Sequence, residues 1–279
     1  MHHSASETSM KIAFIGGGNM ANALIGGLIK GGLSASHLYA IDVNSDVCAR
    51  LAAQWQIRTS ATISPALHHY DALVLAVKPQ QLKEIAHAVA PYLNGQVVIS
   101  IAAGIRAATI QDWLGGYTRI VRAMPNTPAS IGMGVTGVTA LTSVNAQGRQ
   151  LAETVLAAAG QVIWCEHEKQ IDAITAISGS GPAYVFYFIE ALEEAARQLG
   201  FDDAQSRSLA LATVNGATQL AMQSDESVST LRERVSSKGG TTAAALTSFT
   251  ADGIKEAIMR GAFAARARAE QMADEFGQT

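Results

Sequence analysis

Apolar and polar positions fall into two textures along the chain. In the first, short apolar runs alternate with longer segments of helical spacing. "KIAFIGGGNMANALIGGLIKGG" opens with an apolar run of strand length, turns on three glycines and continues as a helix. "HLYAID" is a second strand, followed by a helix through "DVCARLAAQW". "DALVLAVKP", "GQVVISIAAG" and "TRIVRAMPNTP" are further strands, each ending in a polar or proline-bearing loop, with helical stretches such as "QQLKEIAHAVAPYL" between them. These strands are apolar at nearly every position, so both faces are buried, as in a mostly parallel sheet with helices on both sides. "GVTGVTALT", the helix "NAQGRQLAETVLAAAG" and "QVIWC" complete this part.

From about residue 165 the strand-like runs stop, and Ala/Leu/Ile segments of helical spacing continue through Gln271. "GSGPAYVFYFIEALEEAARQLG" has proline at its start and glycine after its end, which is helix punctuation. The expected organisation is an α/β domain at 10–165 and an all-α domain at 166–279. The polar stretch 1–9 reads as a disordered extension. Alanine packs closely but fills little volume, so an alanine-rich helical domain without strands calls for a second subunit to complete it.

Composition excludes several classes. The 279 residues are 48% hydrophobic and carry a net charge of -3, which gives no electrostatic reason to bind nucleic acid or an anionic membrane surface. The uncharged stretch from Ile12 to Ile29 is broken by glycines and asparagines, so it reads as strand, turn and helix rather than a membrane span. Cys48 and Cys165 are too few for a disulfide framework and fit a reducing cytoplasm. No metal-binding spacing occurs, and His68-His69 reads as a polar loop before a strand.

The first chemical signal is Gly16-x-Gly18-x-x-Ala21 between a strand and a helix, the fingerprint of a Rossmann dinucleotide site. Gly16 permits the tight turn, Gly18 lets a pyrophosphate approach the backbone, and the small Ala21 lets the helix sit close to the sheet. Cofactor-side candidates around it are Gly16, Gly18, Asn19, Met20, Ala21, Asp42 and Asn44. A carboxylate such as Asp42 at the end of the second strand accepts from a ribose 2′-hydroxyl and favours NADH; a turn-capping role is the alternative. The loops "AVKPQ" and "AMPNTP" end strands where ligands lie in such sheets, and Asn126 and Thr127 offer hydrogen bonds there.

The second signal is "VSSKGGTTAAAL" at residues 235–246. Its glycines and hydroxyls stand where a helix begins, a position with unpaired N–H groups and the positive end of the helix dipole. It can serve as a carboxylate or phosphate site, but on this feature alone ordinary helix capping is the better reading.

In order, "IAFIGGGNMA", "LAVKPQ", "SIAAGI", "RAMPNTP", "SGSGPAY" and "VSSKGGTT" strongly resemble the pyrroline-5-carboxylate reductase family, from about Met10 to near the C-terminus. The resemblance implies reduction of the cyclic imine Δ1-pyrroline-5-carboxylate to proline with NADPH or NADH. It implies a Rossmann domain followed by a helical dimerisation domain, and a homodimer or higher homo-oligomer with active sites shared between subunits. By position, Ser237, Gly239, Gly240 and Thr241 hold the substrate carboxylate, and Thr242 lies near the ring nitrogen as the catalytic candidate. Ala76, Val77, Lys78 and Pro79, with Met124, Pro125, Asn126 and Thr127, form the cofactor-side loops. Lys238 stands where other members often have proline, and Asp42 is in tension with the NADPH preference frequent in the family.

The residue set suits the chemistry, because a protonated cyclic imine is already electrophilic and needs orientation more than acid–base apparatus. The nearest rivals are a related dehydrogenase or imine reductase acting on another small carboxylate and a non-catalytic dinucleotide-binding protein. Among dehydrogenases, the 3-hydroxyacid group carries a lysine shortly after its second glycine motif, where this chain has Tyr184, Val185 and Phe186. A binding protein has no use for the second site.

Overall fold

The computed structural model describes residues 10–277; the expected extension at 1–9 lies outside the described residues. Eight strands alternate with helices over the first part of the chain. They are β1 (Ile12–Ile15), β2 (Leu38–Ile41), β3 (Arg58–Ser60), β4 (Ala72–Leu75), β5 (Val97–Ser100), β6 (Ile120–Met124), β7 (Gly134–Ala140) and β8 (Gly160–Trp164). They form one sheet in the order β3-β2-β1-β4-β5-β6-β7-β8. β1 pairs in parallel with β2 on one side and β4 on the other, with Ile12 opposite Leu38 and Ala72. The strand order therefore reverses between β1 and β4, which opens a crevice at their carboxyl ends.

The helices of this part are α1 (Asn19–Lys30), α2 (Ser45–Trp55), α3 (Pro79–Val89), α4 (Ala107–Trp113), α5 (Ala146–Ala157) and α6 (Lys169–Ile174). Alternate strand residues enter two separate cores. Ile12 and Phe14 join Leu24, Leu28 and Val155 on one face, while Ala13 and Ile15 join Leu82, Ala86 and Ile110 on the other. Both sets are buried, which is why the strands lack a polar alternation. Each such Leu, Ile or Phe contributes about 1.5–3 kcal/mol by leaving water.

Two details depart from a simple alternating sheet. β6 and β7 are antiparallel, Arg122 standing opposite Thr139. The connection at 125–133 is shorter than the dozen or more residues that a parallel crossover requires. β3 is a three-residue edge strand whose "RTS" carries no hydrophobic signal.

After β8 the chain is helical: α6, then α7 (Gly181–Gln198), α8 (Asp203–Gln223), α9 (Val228–Arg234), α10 (Thr241–Ala251) and α11 (Ile254–Gly277). Spatially the described residues form two compact units, 10–180 with 265–277, and 181–264. The change of texture at 165 marks the end of the strands. The first unit continues beyond it because α6 stays on the sheet, held by Arg122. That side chain, 2% exposed, donates to Glu168 at 2.9 Å and to Asp172 at 3.3 Å. The last turns of α11 belong to the same unit: a Cβ on Gly104 would lie 3.0 Å from that of Met272, and Arg106 pairs with Asp274 at 2.8 Å.

The unit at 181–264 has almost no core of its own. Its buried residues are Ala196, Ser206 and Ala210, and α10 buries none. Phe186, Tyr187, Phe188, Leu220, Met222 and Phe263 all stand exposed. A monomer rarely exposes so many large apolar side chains on its helices, which marks this unit as one that associates. Among the described residues no helix is long and apolar enough to cross a membrane.

Candidate active site

The glycine turn between β1 and α1 is built by close contacts. Gly16 has φ +99, and a Cβ there would lie 2.7 Å from the Ala76 carbonyl oxygen at the end of β4. Its N–H donates to Ile41 O at 2.7 Å, tying the turn to β2. Gly18 is the N-cap of α1, has no side-chain cap, and has no atom within 4 Å of the place a Cβ would occupy. No side chain caps the start of α1, and the space beside Gly18 is open, as a bound pyrophosphate requires. Ala21 is fully buried against the sheet, Met20 packs at the edge of that core, and Asn19 is exposed. This corner fits a dinucleotide.

At the end of β2, the Asp42 carboxylate accepts two backbone N–H groups, from Gly17 at 2.8 Å and from Asn44 at 2.9 Å. Asn44 itself caps α2, its side chain accepting from Asp46 N at 2.9 Å. The sequence reading placed Asn44 among the cofactor contacts, whereas its side-chain oxygen here serves the helix. Arg50 donates to the Gly17 carbonyl at 3.1 Å.

The next two loops sit at the carboxyl ends of β4 and β6. Ala76 and Val77 are half-buried, Lys78 is the exposed N-cap of α3, and Pro79 is its first residue. After β6, Pro125 is buried, Met124 half-buried and Thr127 exposed. Asn126 is buried, and its side chain bridges two chain segments: the amide donates to Ser178 O at 2.9 Å and the oxygen accepts from Val135 N at 2.8 Å. Asn126 is thus a brace for this loop rather than a free donor. The segment it braces against, Thr175–Gly179, is a π-helical turn closed by Ser180 N–H to Thr175 O at 2.8 Å. Such turns are frequent at functional sites. Sequence reasoning missed it, although "SGSGPAY" marked the place.

In the other unit, residues 235–240 lead from α9 into α10. Gly239 has φ +75, and Gly240 N–H closes a turn onto Ser237 O at 3.0 Å. A Cβ on Gly240 would fall 2.6 Å from Ser237 Oγ, so the hydroxyl lies against the glycine that starts the helix. Gly240 is the N-cap and no side chain caps this helix. Thr241 is exposed and Thr242 half-buried at the first turn. Five candidates thus surround an uncapped helix start. Capping does not account for these hydroxyls, and the arrangement suits an anion.

A cavity of about 680 Å³ lies elsewhere, at the amino ends of the strands, lined by His68, Gln96 and Arg119. It contains none of the candidates. Both cysteines are free, and burial pushes the Cys165 thiol up, away from nucleophilic use.

Known proteins match both units. Residues 168–272 match the family model described as pyrroline-5-carboxylate reductase dimerisation, and residues 11–104 one described as NADP oxidoreductase, coenzyme F420-dependent. A pyrroline-5-carboxylate reductase of Pseudomonas aeruginosa is 41% identical, covering 96% of this chain and 98% of the relative. Its counterpart in Vibrio alginolyticus is 38% identical, covering 94% and 97%. The solved reductase of Coxiella burnetii superposes with a TM-score of 0.90 at 38% identity, covering 95% of this chain and 99% of that one. The Plasmodium falciparum enzyme, solved with NADP bound, gives 0.85 at 29%, covering 95% and 98%. With a dinucleotide cradle in one unit, an uncapped helix start in the other and near-complete coverage by these relatives, the chain belongs to the pyrroline-5-carboxylate reductase family.

Proposed function

We propose that the two sites described above divide the work of one reaction between cofactor and substrate carboxylate. The chain is an NAD(P)H-dependent oxidoreductase acting on a CH–NH bond, and it reduces Δ1-pyrroline-5-carboxylate to L-proline. When bound, the nicotinamide supplies a hydride to the imine carbon. The chain's residues bind, orient and exclude water. Gly16, Gly18 and the start of α1 take the pyrophosphate. The loops at 76–79 and 124–127 flank the nicotinamide, and the Asn126 brace fixes the second of them against Ser178 and Val135. The N–H groups of α10, with the Ser237 and Thr241 hydroxyls, hold the substrate carboxylate. The Thr242 hydroxyl oxygen accepts the N–H of the protonated imine, whose carbon is thereby already electrophilic when hydride arrives. Orientation of two bound partners supplies most of the rate.

The observation that carries this reading is the uncapped glycine start of α10, bordered by Ser237 Oγ. We further propose that each active site joins the cradle of one subunit to the α10 start of its partner. The scarcity of buried side chains in 181–264 supports this, since a partner must cover these helices. The division into a dinucleotide-binding part and a helical substrate and dimerisation part is retained in this proposal. A reducing cytoplasm is the compartment we propose, a reading that the two unpaired thiols support.

The test is cofactor oxidation with the cyclic imino acid, on the wild type and on two variants. Ser237→Ala should chiefly raise KM for the imino acid, whereas Thr242→Val should also lower kcat. A hydrogen bond to a charged group is worth roughly 1.5–3 kcal/mol, or about ten- to more than a hundredfold in kcat/KM. Normal kinetics with a lowered melting point would leave these residues a purely structural role in the turn before α10.

A further inference from the structure

We propose that this chain selects NADH over NADPH and that Asp42 is the residue that selects. In this fold the adenosine ribose lies beside the end of β2 while the pyrophosphate sits on the start of α1. The carboxylate of Asp42 stands there and is fixed in place. Oδ2 accepts the Gly17 N–H at 2.8 Å and Oδ1 the Asn44 N–H at 2.9 Å. Two backbone donors, one on each oxygen, stop the group from turning away to admit a second anion. Each oxygen retains acceptor capacity, which a ribose 2′-hydroxyl can satisfy as a donor. A 2′-phosphate is acceptor-only when fully ionised and adds like charge at the same point.

The surroundings reinforce this choice. Asp46 in the first turn of α2 adds a second carboxylate to the corner. The Asn44 side-chain oxygen is committed to capping α2. Arg50 is the guanidinium nearest in sequence that could greet a phosphate; one of its N–H groups donates to the Gly17 carbonyl at 3.1 Å, and the Arg50→Ala variant below tests its part. The turn has no room to retreat: a Cβ on Gly17 would lie 2.5 Å from Val47 Cγ1 and 2.8 Å from Leu51 Cδ1. Val43, 82% exposed beside Asp42, offers an apolar surface for an adenine ring.

The experiment is equilibrium binding of NADH and of NADPH to the full chain, followed by nicotinamide fluorescence, with no substrate present. It is independent of the substrate site, so its failure and a failure of the reductase reading are distinguishable. The wild type should bind NADH about a hundredfold tighter than NADPH, since like charges forced together cost several powers of ten at most. Asp42→Asn and Asp42→Ser should each narrow that ratio at least about tenfold by improving NADPH binding, and Arg50→Ala should not narrow it. Melting curves on the same samples report folding. Equal affinities in the wild type would overturn the proposal, whether or not the variants fold. So would an unchanged ratio in folded Asp42 variants, or a selective loss of NADPH binding in Arg50→Ala.

Discussion

Arg122→Ala should destabilise the chain by about 3–5 kcal/mol, the usual cost of stranding one partner of a buried ion pair. The guanidinium bridges β6 to α6, and its two acceptors differ in exposure. Glu168 is 31% exposed and also accepts the Ala107 N–H at 2.7 Å, so it keeps both water and a partner when the arginine goes. Asp172 is 6% exposed and would be left buried without its arginine partner. Most of the cost therefore belongs to Asp172, and the lost volume adds to it. Arg122→Met restores volume without charge and should remain strongly destabilised. Arg122→Met with Asp172→Leu removes the stranded charge and should recover to within about 2 kcal/mol of wild type. Urea unfolding at one fixed protein concentration measures all three, because association contributes to apparent stability. A loss below about 1 kcal/mol for Arg122→Ala, or a double variant no more stable than Arg122→Met, would refute the reasoning.

Other consequences follow from single contacts. Gly27→Ala should cost at least about 1–3 kcal/mol through overpacking, because its Cβ would fall 1.8 Å from the Ala158 carbonyl oxygen; thermal melting checks it. Phe186→Glu places a charge on an exposed aromatic of α7 and should shift the assembly toward monomers by light scattering, with loss of reductase activity; an active oligomer of unchanged size would count against association there. Truncation after Ser180 should leave a poorly stable sheet unit, since it removes Met272 and Phe276 from beside Gly104, and a melting point equal to the full chain would contradict that.

Much of this architecture was legible in the sequence because the physics was local. "IAFIGGG" and "ALVLAVKP" announce buried strands by lacking polar positions, and both faces of β1 and β4 are indeed covered. The antiparallel turn into β7 was hidden, since "GVTGVTA" has the same composition whichever way it runs. β3 escaped because an edge strand of three residues needs no hydrophobic pattern. The end of the first compact unit was also out of reach: Arg122 and Asp172 lie fifty residues apart, and nothing local links them. The same holds for Asn126, whose polar side chain looked available to a ligand but bonds Ser178 and Val135. The helix start at 237–242 was legible as a polar run before alanines. That no side chain caps it required coordinates.

The most direct test of the two-site account is a mixed-subunit assay with the cyclic imino acid as substrate. Gly18→Asp puts a carboxylate into the open space meant for pyrophosphate without touching the fold, and Asp is a good helix N-cap. Thr241→Asp puts one at the exposed start of α10, where a first-turn carboxylate favours the helix but repels a substrate anion. Each variant alone should be nearly inactive yet melt like the wild type. On the proposal of shared sites, a hybrid dimer contains one site with both an intact cradle and an intact α10 start, each from a different subunit. Refolding the two together in equal amounts should therefore restore about one quarter of wild-type activity. If the refolded mixture contains hybrids and stays as inactive as its parents, the reading of sites shared between subunits is wrong.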